Sequence, residues 1–393
     1  MARILIEFFC EENAENVTPF LYGSFDHAYY MYFDKERPGS RTKEVLSELL
    51  SEKFGVQSSF VFVNGYSLTA AVYALSSVIH SENEYVIDLT GGSELFSAAA
   101  GIYLGTSDAK NVTAVSFDIK NGRGYRQYPD YAELKMTGSF GLHDLIRMYG
   151  GEIVSSYKMS DAVTSGGRLR SETIRMWNAV KGYIQDWNRF CSMQNRRSGR
   201  LVTKRLTRAD DKRTCERVTS SLKHKGMIKN VHYYLDDRNR TFIEYELSDR
   251  TDSYELYEKS GSALEMYTFF AVCECGSFSS AATSVTLDLD GLITKRRGDP
   301  RNEIDVMAVY RNTPVLISCK CTKPTKEYLY EILTMAEQYG GKYAAPVLVS
   351  SEPAFEPVRE RAKEMGVILI DNAAYLPLKR IKELLSSYFP SDT

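Results

Sequence analysis

The chain has 393 residues, of which 43% are apolar and 25% charged, with a formal net charge of −2. That length suits two or three domains with real cores, and the composition excludes an intrinsically disordered chain. The near-neutral charge excludes whole-chain attraction to nucleic acid, so any such surface is local. The opening MARILIEFFCEENAENV holds one short apolar run that acidic residues stop, so no signal or transit peptide is visible. Nowhere do about eighteen apolar residues follow one another, so no membrane span is expected. Seven cysteines, an odd number in a long chain, read as reduced thiols of a cytoplasmic protein.

Residues 1 to 155 read as the first domain. RILIEFF, AYYMYF, SSFVFVN, EYVIDL and VTAVSFDI read as strands, separated by helical stretches such as TKEVLSELLSEKFG and SELFSAAAGIYLG. Strand and helix in alternation imply a parallel, three-layer, Rossmann-like α/β sheet. Residues 156 to 252 differ. Positions 160–250 hold 20 Lys and Arg against 11 Asp and Glu, so a slightly acidic chain carries its basic excess here. RADDKRTCERVTSSLKHKGMI reads as two short helices, and VHYYLDDRNRTFIEYEL as a hairpin turning at Asp236–Asn239. That order suggests a winged-helix-like module, with a solvated helical linker as the alternative.

Residues 253 to 393 read as a second α/β domain. SYELYEKSGSALEMYTFFAVCECG is expected as one long helix, followed by the strand SAATSVTLDL and a hairpin. KEYLYEILTMAEQYGG, FEPVRERAKEMG and YLPLKRIKELLSSYF are helices, and AAPVLVSS and VILID strands. The pairs Cys273/Cys275 and Cys319/Cys321 are more closely spaced than the ligands of structural zinc sites, which stand about two to four residues apart. They read as ordinary buried thiols.

The hairpin NEIDVMAVYRNTPVLISCKC, residues 302–321, carries the chemistry. Two apolar runs flank Arg311-Asn312-Thr313, yet Asp305 sits inside the first strand and Lys320 ends the second. Ser318 and Lys320 share one strand face, and Cys319 points to the other. A buried Asp and Lys without a function carry a desolvation penalty on both partners. A single structural salt bridge at a strand end is the bland explanation.

A carboxylate, a turn, then a lysine closing a buried strand resembles the core of PD-(D/E)xK nucleases, a restriction-endonuclease-like fold. The resemblance implies that Asp305 holds a hard divalent cation, Mg²⁺ or Mn²⁺, and that Lys320 positions the attacking water and steadies charge on the phosphate. Ser318 stands where that pattern usually has an acid, and could hold a water at the metal. Glu265, on the preceding helix, or Glu303, two residues before Asp305, could supply the second carboxylate. The carbonyl of Cys319 is a further candidate ligand, and Glu331 a weaker one.

EYVIDLTGGSELFSAAAG, residues 84–101, is the second signal. A strand, a Gly-Gly turn and a helix start favour phosphate, and DLTGGS resembles the motif of CARF domains, the cyclic-oligoadenylate sensors of type III CRISPR defence. The loop after the first strand, with Cys10, Glu12 and Asn13, resembles the first CARF loop, and Asn64 ends another strand on the same edge. Together the motifs resemble the CARF nucleases activated by cyclic tetra-adenylate. The resemblance implies a homodimer clasping one activator through Thr90, Gly91, Gly92 and Ser93, with Cys10, Glu12, Asn13 and Asn64 nearby. It implies cleavage of DNA, with RNA as a further substrate, along a strand tracked by Arg196, Arg197, Lys204 and Arg205. Two other readings stay open. One is a CARF-type transcription regulator with a degenerate nuclease domain. The other is a Rossmann-like enzyme acting on a nucleotide, although the first loop lacks G-x-G-x-x-G.

Overall fold

The computed structural model describes residues 1–106, 110–164, 167–249, 251, 253–288 and 301–391. The first sheet contains β1 (Arg3–Phe8), β2 (His27–Tyr32), β3 (Gln57–Phe62), β4 (Glu84–Asp88), β5 (Val112–Asp118), β6 (Arg123–Tyr128) and β7 (Ala132–Leu134). Their order is β3-β2-β1-β4-β5-β6-β7. The first five strands run parallel, and β6 and β7 add antiparallel. β1 lies at the centre of the five parallel strands and buries Leu5, Ile6 and Phe8 completely, because helices cover both faces of a parallel sheet. One of those helices, Ser40–Phe54, buries Val45, Leu46, Leu49 and Leu50 as a stripe. It stops at Gly55, whose φ of 68° lets its N–H return to the carbonyls of Leu50 and Ser51.

After the first sheet comes β8 (Glu152–Lys158), and it belongs elsewhere: it pairs with β13 (Ser280–Asp288). The boundary expected at residue 155 therefore falls inside a strand of the last sheet. The boundary expected at residue 252 lies outside the described residues. Between these strands stands a module of three main helices, Arg168–Val180, Ile184–Ser192 and Asp211–His224. Its sheet of β9 (Asn195–Ser198), β10 (Leu201–Arg205), β11 (Ile228–Leu235) and β12 (Thr241–Leu247) is ordered β11-β12-β10-β9. The stretch from Arg208 forms one helix rather than two. Asp211, fully buried, accepts the N–H groups of Thr207 and Arg208 and so turns the preceding residues into a loop. The long helix expected near residue 260 is also divided, into Glu255–Glu258 and Ser262–Glu274, with extended backbone at Lys259.

The last sheet adds β14 (Arg301–Tyr310), β15 (Thr313–Lys320), β16 (Ala345–Ser350) and β17 (Ile368–Ile370), in the order β17-β16-β15-β14-β13-β8. β14 and β15 form the expected hairpin, with Tyr310 opposite Thr313. Its two-residue turn places Arg311 and Asn312 at φ 48° and 62°, the mirror-image turn that matches strand twist. Asn tolerates that conformation better than most residues. Asn312 also accepts the N–H of Phe140 at 2.7 Å, which ties the hairpin tip to the first domain.

One face of the last sheet shares an apolar layer with the first domain. Leu5, Phe20, Leu49, Phe140 and Leu145 form a continuous cluster with Met307, Val309, Leu316 and Leu348. The other face meets the middle module, where Trp177 and Trp187 join the cluster of Leu264, Tyr267, Ile317 and Val349. The hairpin is thus clamped from both sides, so its strand ends are held in place. Asn312→Ala removes both the turn preference and the bond to Phe140. It is expected to lower stability by about 1–2 kcal/mol in urea unfolding, and Asn312→Gly to restore only the backbone share.

Candidate active site and effector loop

Asp305 lies near the middle of β14, and its Oδ2 accepts two bonds from β15: the Cys319 N–H at 2.6 Å and the Ser318 hydroxyl at 3.3 Å. Thr283 of β13, fully buried, donates its hydroxyl to the Asp305 carbonyl at 2.7 Å and fixes the strand from the other side. Burial pushes the Asp305 carboxyl up, while the Cys319 amide, Lys320 and Ser318 pull it down.

Glu265 sits in the first turn of helix Ser262–Glu274 and lines a cleft of about 370 Å³ with Tyr157, Glu255, Ser262, Thr283 and Ser284. Its carboxylate makes no hydrogen bond or ion pair among the described residues. Burial raises its carboxyl to about 8, with the charges of Asp305 and Glu303 adding to the rise. Glu303 is exposed on β14. Ser284, at a φ of 51°, occupies the irregularity in the β13–β8 ladder beside this cleft, the kind of bulge that re-aims side chains near a site.

Lys320 ends β15 on the same side as Ser318. Its ammonium pairs with Glu331 at 3.1 Å and lies 5.0 Å above the Tyr328 ring. The structure therefore brings Asp305, Ser318, Glu265 and Lys320 to one end of the hairpin, and it commits Glu331 to the lysine.

Among the described residues no three His, Cys, Asp or Glu side chains form a metal cage, and all seven cysteines are free thiols. The donor set at the hairpin still fits a hard cation. Two half-buried carboxyls repel each other, one has no partner among the described residues, and the Asp305 bonds engage only one of its oxygens. A Mg²⁺-type ion takes one or two carboxylates and fills the remaining positions with water and phosphate oxygens.

At the first sheet's carboxyl edge, β4 ends at Asp88 and the chain turns through Thr90–Ser93. The Thr90 hydroxyl donates to Asp88 at 2.6 Å and accepts the Phe117 N–H at 2.8 Å, so it shapes the loop from inside. Gly92 has a φ of 78°, and a Cβ there would overlap that of Phe8 and stand 2.8 Å from the Phe8 carbonyl oxygen. A side chain would therefore break the turn. Ser93 caps the helix Glu94–Thr106 through the Leu95 N–H and meets the Tyr66 hydroxyl at 3.3 Å. Asn64 is exposed on the same edge.

Cys10 lies under this loop, with its thiol donating to Glu15 at 3.1 Å. Glu12 and Asn13 turn away from the loop. Glu12 accepts from the Tyr149 hydroxyl and from the Lys342 N–H at 2.8 Å. Asn13 donates to the Met148 carbonyl at 2.8 Å. Glu15 accepts the Lys342 ammonium at 2.6 Å and the Tyr343 hydroxyl at 2.7 Å. Sequence reasoning missed Glu15, Tyr149, Lys342 and Tyr343. The Gly340-Gly341 stop was legible, but nothing local announces a contact spanning more than 300 positions.

The basic candidates divide. Arg196 is exposed and carries no described ion pair, and Arg205 is half-buried. Arg197 pairs with Glu258 at 3.2 Å and covers the Tyr254 ring at 4.1 Å. Lys204 overturns the expectation placed on it. It is 0% exposed, its ammonium has no hydrogen-bond partner among the described residues, and it lies 4.8 Å over Phe190 in the module core. Strand alternation turned it inward, and burial lowers its pKa.

No family model matches the sequence, and no curated protein matches it. Among solved structures, the chain is similar to VC1899 from Vibrio cholerae, with a TM-score of 0.70 at 16% identity over 98% of both chains. It is similar to Can2 from Sulfobacillus thermosulfidooxidans, solved in complex with cyclic tetra-adenylate, with a TM-score of 0.66 at 13% identity over 99% of this chain and 100% of that one. A type III CRISPR defence DNA nuclease activated by cyclic oligoadenylate also matches, with a TM-score of 0.50 at 15% identity over 90% of this chain and 46% of that one. The chain shares its fold with these structures, over nearly the full length of VC1899 and Can2. The α/β architecture expected from the alternation of strands and helices is the one observed.

Lys204→Met replaces a buried, unpaired ammonium by an apolar side chain of similar length. It is expected to leave nucleic-acid affinity unchanged in a gel-shift titration, and to leave stability unchanged or raise it by up to about 2 kcal/mol in urea unfolding.

Proposed function

We propose that the chain is a metal-dependent nuclease of type III CRISPR defence, switched on by cyclic tetra-adenylate and working as a homodimer. The observation that carries this reading is the convergence of Asp305, Glu265, Ser318 and Lys320 at one clamped strand end. The structural likeness to a cyclic-tetra-adenylate complex and to a cyclic-oligoadenylate-activated DNA nuclease supports it. Asp305 and Glu265 would hold Mg²⁺ or Mn²⁺, with the Cys319 carbonyl as a further ligand and Glu303 as the alternative carboxylate. The cation would supply Lewis-acid stabilisation of the phosphate and a more acidic water.

The chain's own groups do the rest. Asp305 is held by the Cys319 amide and Ser318, so it needs no rearrangement to present its free oxygen. Lys320 orients the attacking water and stabilises charge on the backbone phosphate. The new P–O bond forms from water as the bond to the 3′ oxygen breaks, which leaves 3′-hydroxyl and 5′-phosphate ends. Arg196 and Arg205 would follow the DNA or RNA backbone without reading bases. The Thr90–Ser93 turn would meet the activator's phosphates and riboses. Asn64 and Cys10 would complete that site. In this arrangement Glu12 and Asn13 tie the segment after β1 to Lys342 and Met148.

The dimer reading rests on the helices Leu68–Val78 and Glu94–Thr106, which pack on each other and leave Tyr73 at 77% and Ile102 at 42% exposure. Exposed apolar side chains on adjacent helices support an association surface there. In sedimentation, the wild type is expected at twice the chain mass, and a Tyr73→Lys/Ile102→Lys variant at the chain mass.

The decisive test is cleavage of labelled single-stranded DNA, single-stranded RNA and supercoiled plasmid in Mn²⁺, with and without cyclic tetra-adenylate. Cutting should require both additions, stop with a chelator, and fall at least about hundredfold in Asp305→Ala and Lys320→Ala. No cutting, with a gel shift that responds to the activator, would contradict the nuclease reading and favour a ligand-responsive regulator.

A further inference from the structure

The helix Lys326–Gly340 touches both sites. Near its start, Tyr328 and Glu331 hold Lys320, through the ring 5.0 Å below the ammonium and the carboxylate 3.1 Å from it. At its end, Gly341 takes a φ of 61°, and a Cβ there would stand 2.6 Å from both Glu12 oxygens and the Tyr149 hydroxyl. Lys342 and Tyr343 then grip Glu12 and Glu15 through the three bonds of 2.6–2.8 Å already described. Glu15 in turn lies directly beneath the effector turn. A Cβ on Gly91 would meet the Glu15 carboxylate and the Cys10 thiol, each at 3.1 Å.

The fifteen-residue helix spans about 22 Å. It buries Leu329, Ile332, Ala336 and Tyr339, and packs on β15 and β16. Such an element moves as a body, so a displacement at one end is delivered at the other. Glu331 competes for the charge that a scissile phosphate needs from Lys320. Its carboxylate is 51% exposed, so the ion pair is modest and can be broken.

We infer that Glu331 is a positioning residue that holds Lys320 off the substrate in the activator-free chain, and that helix Lys326–Gly340 links its release to the Glu12–Glu15 loop. The inference rests on the nuclease reading above and adds the internal route of its control. An activator pressing on Gly91 acts on Cys10 and Glu15, changes their grip on Lys342 and Tyr343, and shifts the helix that carries Glu331. Lys320 then turns to the phosphate.

The test measures cleavage with and without cyclic tetra-adenylate, and activator binding by calorimetry, for the wild type, Glu331→Gln, Glu331→Asp and Tyr343→Phe. Glu331→Gln should raise the activator-free rate roughly two- to fivefold and leave the activated rate nearly unchanged. Glu331→Asp should return the activator-free rate towards the wild type. Tyr343→Phe should keep activator affinity within about threefold while the stimulation falls. A merely structural role would lower both rates in proportion, and that result overturns the inference. So does an activator-free rate unchanged in Glu331→Gln. Wild-type protein that binds no activator, or is not stimulated by it, would instead sink the function reading and this inference with it. Normal stimulation in the wild type with an unaltered ratio in every variant would sink the inference alone.

Discussion

A carboxylate placed mid-strand in a sheet interior is tolerated only where its neighbours supply hydrogen bonds or positive charge. Asp305 meets that constraint through the Cys319 amide and the Ser318 hydroxyl, and much of the structure serves to hold that arrangement. The two-residue turn at Arg311–Asn312 sets the register that brings β15 opposite it. Thr283 fixes the strand behind it, and apolar layers on both sheet faces keep the hairpin from sliding. A one-residue slip would turn Asp305 to the other face and break the site.

The same constraint explains the neighbours. The Glu265 carboxyl has no partner among the described residues, and burial together with two nearby acids pushes its pKa up. Ser318, in the position where an acid is usual, lowers the negative charge beside Asp305 and still donates a hydrogen bond. The departure from the common pattern thus leaves the geometry of Asp305 intact.

Much of this was legible in the sequence, because the signals are local. Strand alternation, the Gly-Gly turn after Asp88 and the Asp305–Lys320 hairpin all follow from periods and turn chemistry within about twenty residues. What was not legible depends on distant partners. β8 looks like the end of the first domain, yet its neighbour β13 comes more than 120 residues later. Lys204 is basic in a basic segment, and only the register of β10 against β12 shows that it faces inward. Glu12 was expected near the activator from the resemblance of its loop to the first CARF loop. Its actual partners, Tyr149 and Lys342, are far away in sequence. The single helix from Asp211 depended on a buried carboxylate capturing two backbone amides, which no propensity encodes.

The central claim is that Asp305 and Glu265 together form a divalent-cation site at the hairpin's end. Calorimetric titration of Mn²⁺ into the wild type, Asp305→Asn and Glu265→Gln tests it without relying on substrate or activator. The account predicts saturable binding in the wild type, weakened at least about tenfold in each variant while both remain folded. Mn²⁺ affinity unchanged in both variants would contradict it.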